Sequence, residues 1–173
     1  WMLGMPQRTY LAPFTFGNTG NLGLPLALFA FGTEGLGYAM VVFAVSAILS
    51  FTFGIWVVSG GGNALRALKE PMVGATLLGS LFLWQGWETP DVLTKTLELI
   101  GQMAIPMMLI TLGVAVARLR PGRITQAIVL SVTKFVICAF VAFGVGTLLG
   151  LSGPALAVLI LQISTPVAVT AYL

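Results

Sequence analysis

The sequence predicts an all-α integral membrane protein, and three observations carry that prediction. Hydrophobic residues make up 58% of the 173-residue chain and charged residues only 8%, with a mean hydropathy of +1.03. An ordinary soluble domain carries roughly 25% charged residues, so a water-soluble fold has no means of hiding this much apolar surface. The apolar residues also fall in unbroken runs, such as Leu36 to Val58 and Ile124 to Leu149. Each run approaches the ~20 residues a helix needs to cross ~30 Å of hydrocarbon. A transmembrane β-barrel would show short alternating segments instead.

Composition excludes several functions. The net charge of +3 comes from 8 basic against 5 acidic side chains, too few and too dispersed for a nucleic-acid surface. A single cysteine, Cys138, lies inside an apolar run, and there is no histidine, so neither a disulfide framework nor a cysteine or histidine metal site is expected. The N-terminus lacks the basic region, apolar stretch and cleavage site of a signal peptide. The chain opens without an initiator Met and stops at Leu173 inside an apolar run, from which further helices on both sides are expected.

Glycine and proline punctuation divides the chain into six hydrophobic segments. The first runs from about Tyr10 to Phe31 and the second from Leu36 to Val58, ended by Ser59-Gly60-Gly61-Gly62-Asn63. The third opens on Pro71, where a missing N–H costs nothing, and closes near Trp84 and Trp87, whose rings suit the headgroup layer. The fourth runs from Pro90-Asp91 to Ala117, the fifth from about Gly122 to Leu149 and the sixth from Pro154 onward.

Charge sign alternates from one connection to the next. Arg8 precedes the first segment, Glu34 follows it, then come Arg66 and Lys69 with Glu70, then Glu88 and Asp91, then Arg118, Arg120 and Arg123. Cytoplasmic loops are enriched in Lys and Arg, so the connections at Arg8, Arg66 to Lys69 and Arg118 to Arg123 are expected inside a cell membrane, with a bacterial inner membrane as the setting.

Two segments carry polar, helix-breaking residues at membrane depth. In the first these are Asn18, Thr19, Gly20, Asn21, Gly23 and Pro25; in the sixth they are Gln162, Ser164, Thr165 and Pro166. Unpaired backbone at this depth costs several kcal/mol per group and survives only where protein or a watery cavity satisfies it. Paired discontinuous helices are the usual construction of a carrier's binding site. Thr165 before Pro166, and Asn21 or Gly23 before Pro25, read as helix starts whose free N–H groups would face an anion. A plain packing kink is the alternative for each break, and the preferred account of Pro106.

Lys134 is the charged residue set deep in a span, about eleven residues from Arg123. Such residues pair, serve a pathway, or snorkel to the interface. Gln102 shares a helical face with Glu98 and is a candidate for substrate contact or for an interhelical hydrogen bond. The Gly146 to Gly150 spacing reads as helix packing.

These residues resemble the auxin efflux carrier family, which includes bacterial malate and malonate permeases. The resemblance rests on Gly17-Asn18-Thr19-Gly20-Asn21-Leu22-Gly23-Leu24-Pro25-Leu26, on Lys69-Glu70-Pro71, on Leu97 to Pro106 with Leu112-Gly113, and on Ser164-Thr165-Pro166. It implies a fold of ten helices in two inverted repeats of five, with crossed, discontinuous fourth and ninth helices. The six segments would be helices four to nine of one partial transmembrane domain. Residues 8–59 would end the first repeat, 60–69 form a cytoplasmic linker and 70–173 make up most of the second. Pro25 and Pro166 would be the crossover prolines, with Asn18, Thr19, Asn21, Ser164 and Thr165 around the substrate. The sequence departs from many relatives at Ile137-Cys138-Ala139, where a proline often follows the basic residue, and at Gln102, where some carry a carboxylate.

The expected function is secondary transport of small organic anions, such as dicarboxylates or auxin-like carboxylates, by alternating access rather than enzyme catalysis. Its expected partners are the substrate, membrane lipid and no nucleic acid, with a homodimer as an option. No cofactor or metal is implied. Coupling to protons or sodium stays open, because neither break holds an Asp, Glu or His. The alternatives are a cation/proton antiporter of the same fold, which would want a midplane aspartate, and an intramembrane hydrolase pairing Ser164 with Lys134.

Overall fold

The computed structural model describes residues 17–50, 71–118 and 124–166. A π-helical turn, Thr19–Gly23, leads directly into helix α1, Leu24–Leu49. There follow α2, Pro71–Gln85; α3, Asp91–Ala117; α4, Ile124–Leu148; and α5, Gly153–Ile163. Among the described residues, three stretches are long and apolar enough to cross a membrane: Thr19–Leu49, Asp91–Ala117 and Ile128–Leu148. The all-α membrane architecture expected from the hydrophobic runs is therefore the one observed.

α1 is two helices in one run. At Gly32 the backbone turns to φ 65°, ψ −157°, a left-handed conformation in which glycine alone is unstrained. The limbs on either side, residues 24–31 and 33–49, fold back on one another: Gly20 sits against the Phe43 ring, and Gly35 against Phe31 and the Ala27 carbonyl. A connection near Glu34 is thus present, but one glycine makes it where a short loop was expected. Glu34 accepts a hydrogen bond of 3.3 Å from the Tyr38 hydroxyl at this exposed end.

The remaining boundaries follow the punctuation. α2 begins at Pro71 and stops before Gly86, whose φ is 63°, and Phe82 meets Trp87 edge-on at 5.4 Å between ring centroids. α3 starts after Pro90 with Asp91 in its first turn, where a carboxylate complements the helix dipole. It runs on through Pro106 without interruption, so the kink expected there does not divide the helix. Gly150, at φ 73°, turns the chain between α4 and α5. The expected cytoplasmic residues Arg8, Arg66, Lys69, Arg120 and Arg123 lie outside the described residues.

Packing centres on α5. Its Val158 joins Leu24, Ala27 and Ala39 of the α1 hairpin in a buried cluster, flanked by Phe31, Leu36, Phe43, Met108 and Leu161. On its other side α5 meets α4, where Gly146 lets the Leu156 and Leu159 side chains come up to the backbone. Lys134, Ala142 and Gly146 are the buried positions among the described side chains of α4 and, with half-buried Cys138, form one ridge at four-residue spacing. α3 buries none of its residues, and its apolar side chains form an exterior suited to hydrocarbon.

Candidate functional site

The two sequence breaks meet. The backbone N–H of Asn18 donates to the carbonyl of Pro166 at 2.7 Å, joining the entry of the π turn to the exit of α5. Close approach on both sides of that bond depends on glycine. A Cβ on Gly17 would lie 2.5 Å from Thr165 Oγ1, and one on Gly23 would collide with the side-chain amide of Gln162.

Proline shapes the first break. Pro25 has no N–H to give the carbonyl of Asn21, and its ring crowds that carbonyl. The chain responds by widening its first turn: the Asn18 carbonyl accepts from both Leu22 N–H at 3.3 Å and Gly23 N–H at 3.0 Å, and Leu24 N–H reaches both Gly20 and Thr19. This corrects the expected helix start at Asn21 or Gly23. The helical turn begins at Thr19, with Asn18 (φ −80°, ψ 56°) in the capping position and no side-chain cap bond. The N–H groups of Thr19, Gly20 and Asn21 are the ones that precede the first intrahelical bonds.

The second break is the C-terminal end of α5. Ser164 N–H bonds the Ile160 carbonyl at 3.0 Å, and the Thr165 hydroxyl donates to the Gln162 carbonyl at 2.8 Å, closing the helix. Thr165 therefore ends one half-helix; the half expected to start at Pro166 lies outside the described residues, as does the chain before Gly17. The junction so described brings a donor-rich helix start against an acceptor-rich helix end.

Burial picks out the polar residues here. Asn18, Thr19, Gln162, Ser164 and Thr165 are all buried, in a molecule whose large apolar side chains are mostly exposed. Gln162 is 0% exposed, and Gln162 Nε2, Gln162 Oε1 and Ser164 Oγ have no hydrogen-bond partner among the described residues. Gly23 and Pro25 are buried too, Gly20 and Asn21 half-buried, and Pro166 exposed. Lys134 is buried to 4% exposure on the α4 ridge, the face that meets α5 higher up at Gly146. Gln102 stands exposed on α3, ahead of Met108, the α3 residue packed on the core cluster. Gly17 and Phe43 also line the junction; Gly17 heads the polar run of the first break but was not among the expected substrate contacts, and nothing local marked Phe43.

A family model described as "Membrane transport protein" matches residues 55–173. The chain belongs to the membrane transport protein family. This is the auxin efflux carrier-like group that its motifs resemble. An uncharacterized transporter of Methanocaldococcus jannaschii is 27% identical to this membrane transport protein over 161 residues, covering 87% of the chain and 52% of the relative. Another uncharacterized transporter, from Methanothermobacter thermautotrophicus, is 29% identical over 161 residues, covering 89% of the chain and 53% of the relative. The chain thus spans about half the length of the curated relatives it matches. No solved structure matches it.

Proposed function

We propose that this membrane transport protein is a secondary carrier of small carboxylate-bearing organic anions, working by alternating access at two crossed, broken helices. The observation that carries the reading is the meeting of the two breaks through Asn18 N–H and the Pro166 carbonyl, with unsatisfied polar groups buried beside them. A transport family explains why a membrane helix would give up backbone bonds there: freed amides and carbonyls are ligands for a hydrated cargo that leaves its water behind.

In this reading the described helices belong to helices four to nine of a ten-helix inverted repeat, with residues 8–59 and 70–173 contributing to its two halves across a 60–69 linker. Asn18, Thr19, Asn21, Gln162, Ser164 and Thr165 contact the cargo. Lys134 supplies positive potential from α4. The loops at Arg8, Arg66 to Lys69 and Arg118 to Arg123 face the cytoplasm.

The test is uptake into proteoliposomes of the full-length protein, offered dicarboxylates and indole acids while pH and sodium are varied. Lys134→Ala is expected to abolish uptake of the accepted anion while the protein still inserts and elutes as a folded species, and Lys134→Arg to retain part of it. Undiminished uptake by Lys134→Ala would remove the role given to that side chain, and a panel without any transported carboxylate would remove the substrate class.

A further inference from the structure

Among the described residues, Gln162 is the polar side chain removed furthest from solvent, and both ends of its amide lack a hydrogen-bond partner there. A buried amide unsatisfied at donor and acceptor alike is a rarity that calls for a partner. The side chain is pressed against the backbone of Gly23, where only a hydrogen fits, so a partner has to meet it from the other side. That partner must present one donor and one acceptor side by side.

An ionised carboxylate does not meet this requirement. It has acceptors only, and binding Nε2 would set its second, negative oxygen beside Oε1. A protonated carboxyl does meet it: its O–H donates to Oε1 while its C=O accepts from Nε2–H, closing a two-bond ring. We infer that Gln162 docks the protonated carboxyl of the cargo, so that the coupling proton travels on the substrate and not on the protein. The inference rests on the carrier reading above and gives it a coupling mechanism.

The neighbouring groups agree. On the elements packed against α5, the titratable side chains are Glu34 and Tyr38, bonded to each other at the exposed end of α1, and Lys134 and Cys138 on the α4 ridge; the π turn has none. Asp91, Lys95 and Glu98 of α3, which touches the π turn, are exposed. No carboxyl of the described protein is therefore placed at the junction to carry a proton. Burial, moreover, favours the neutral form of an acid. The balance is simple: the carboxylate takes one proton from water on one side, crosses as the acid at Gln162, and returns that proton to water on the other.

A carboxylic acid is neutral to only on the order of one part in several hundred at pH 7, so apparent affinity should rise about tenfold per pH unit on acidification above the acid's pKa. The experiment is isothermal titration of the purified full-length protein with malonate, malate and indole-3-acetate, in buffers of different ionisation enthalpy, which counts protons taken up. The expected result is about one proton per molecule bound, competition by the matching primary amides malonamate and indole-3-acetamide, and about tenfold or greater weakening in Gln162→Leu. Binding without proton uptake, amides that do not compete, or unchanged affinity in Gln162→Leu would each overturn the inference, the last showing that the amide holds only water. Should Gln162→Leu not fold, the proton count on the wild-type protein decides alone. If none of these acids binds at any pH, the carrier reading fails and takes this inference with it; binding of the ionised form alone sinks the inference and spares the carrier.

Discussion

Gly23 and Gln162 form the tightest contact between the two breaks, and it sets the first prediction. Gly23→Ala places a methyl on the Gln162 amide, which is buried and has to shift to admit it. Overpacking of this kind typically costs about 1–3 kcal/mol. Thermal unfolding in detergent is expected to show a lower Tm, with uptake lost, while Gly74→Ala, which meets nothing within 4 Å, should leave both unchanged. At this scale the sequence was informative about identity and silent about pairing. Asn18, Thr19, Ser164 and Thr165 stood out because polar side chains in apolar runs need a partner. That Gly17 would face Thr165, and Gly23 face Gln162, depends on how two distant segments cross, which no local pattern encodes. Gln102 shows the converse: its place on a helical face was legible, but not that it would stand exposed.

Among the elements, the π turn and the Gly32 corner decide the shape of the first half. Pro25→Ala restores an N–H that can bond the Asn21 carbonyl, removing the cause of the widened turn. The variant is expected to be at least as stable as the parent but deficient in uptake, as read by parallel melting and transport assays. Gly32→Ala works in the opposite sense: a side chain at φ 65° costs about 1–2 kcal/mol and splays the hairpin. Its Tm should fall, and uptake with it. The helix limits near Pro71, Pro90 and Gly150 were readable because proline and glycine leave the backbone few choices. The start at Thr19 was not, because a proline's missing donor is accommodated equally well by a cap just ahead of it or by a wider turn further upstream.

For the whole molecule, the alternation of charge between connections makes a topological prediction. In a Cys138→Ser background, single cysteines at Glu88 and at Arg118 are expected to react from opposite sides of the membrane with an impermeant maleimide. Labelling of both from the same side would contradict the assignment of the basic connections to the cytoplasm. The membrane class was legible from composition and run length alone, since hydrocarbon imposes a length on any helix that crosses it. The exposed apolar flank of α3 follows from the same constraint. The meeting of the two breaks was expected only through the usual construction of carriers and the family resemblance, because tertiary contact between remote breaks leaves no periodic trace.

The bond from Asn18 to the Pro166 carbonyl joins the two ends of the described chain, and this bears on how the protein is made. As the ribosome feeds helices into the bilayer in order, the first break enters long before its counterpart exists. Its open amides must wait in a chaperoned or hydrated setting until the second break arrives, since lipid alone would penalise them. Biogenesis should therefore be protease-sensitive up to the moment Pro166 emerges, and become resistant in a single late step.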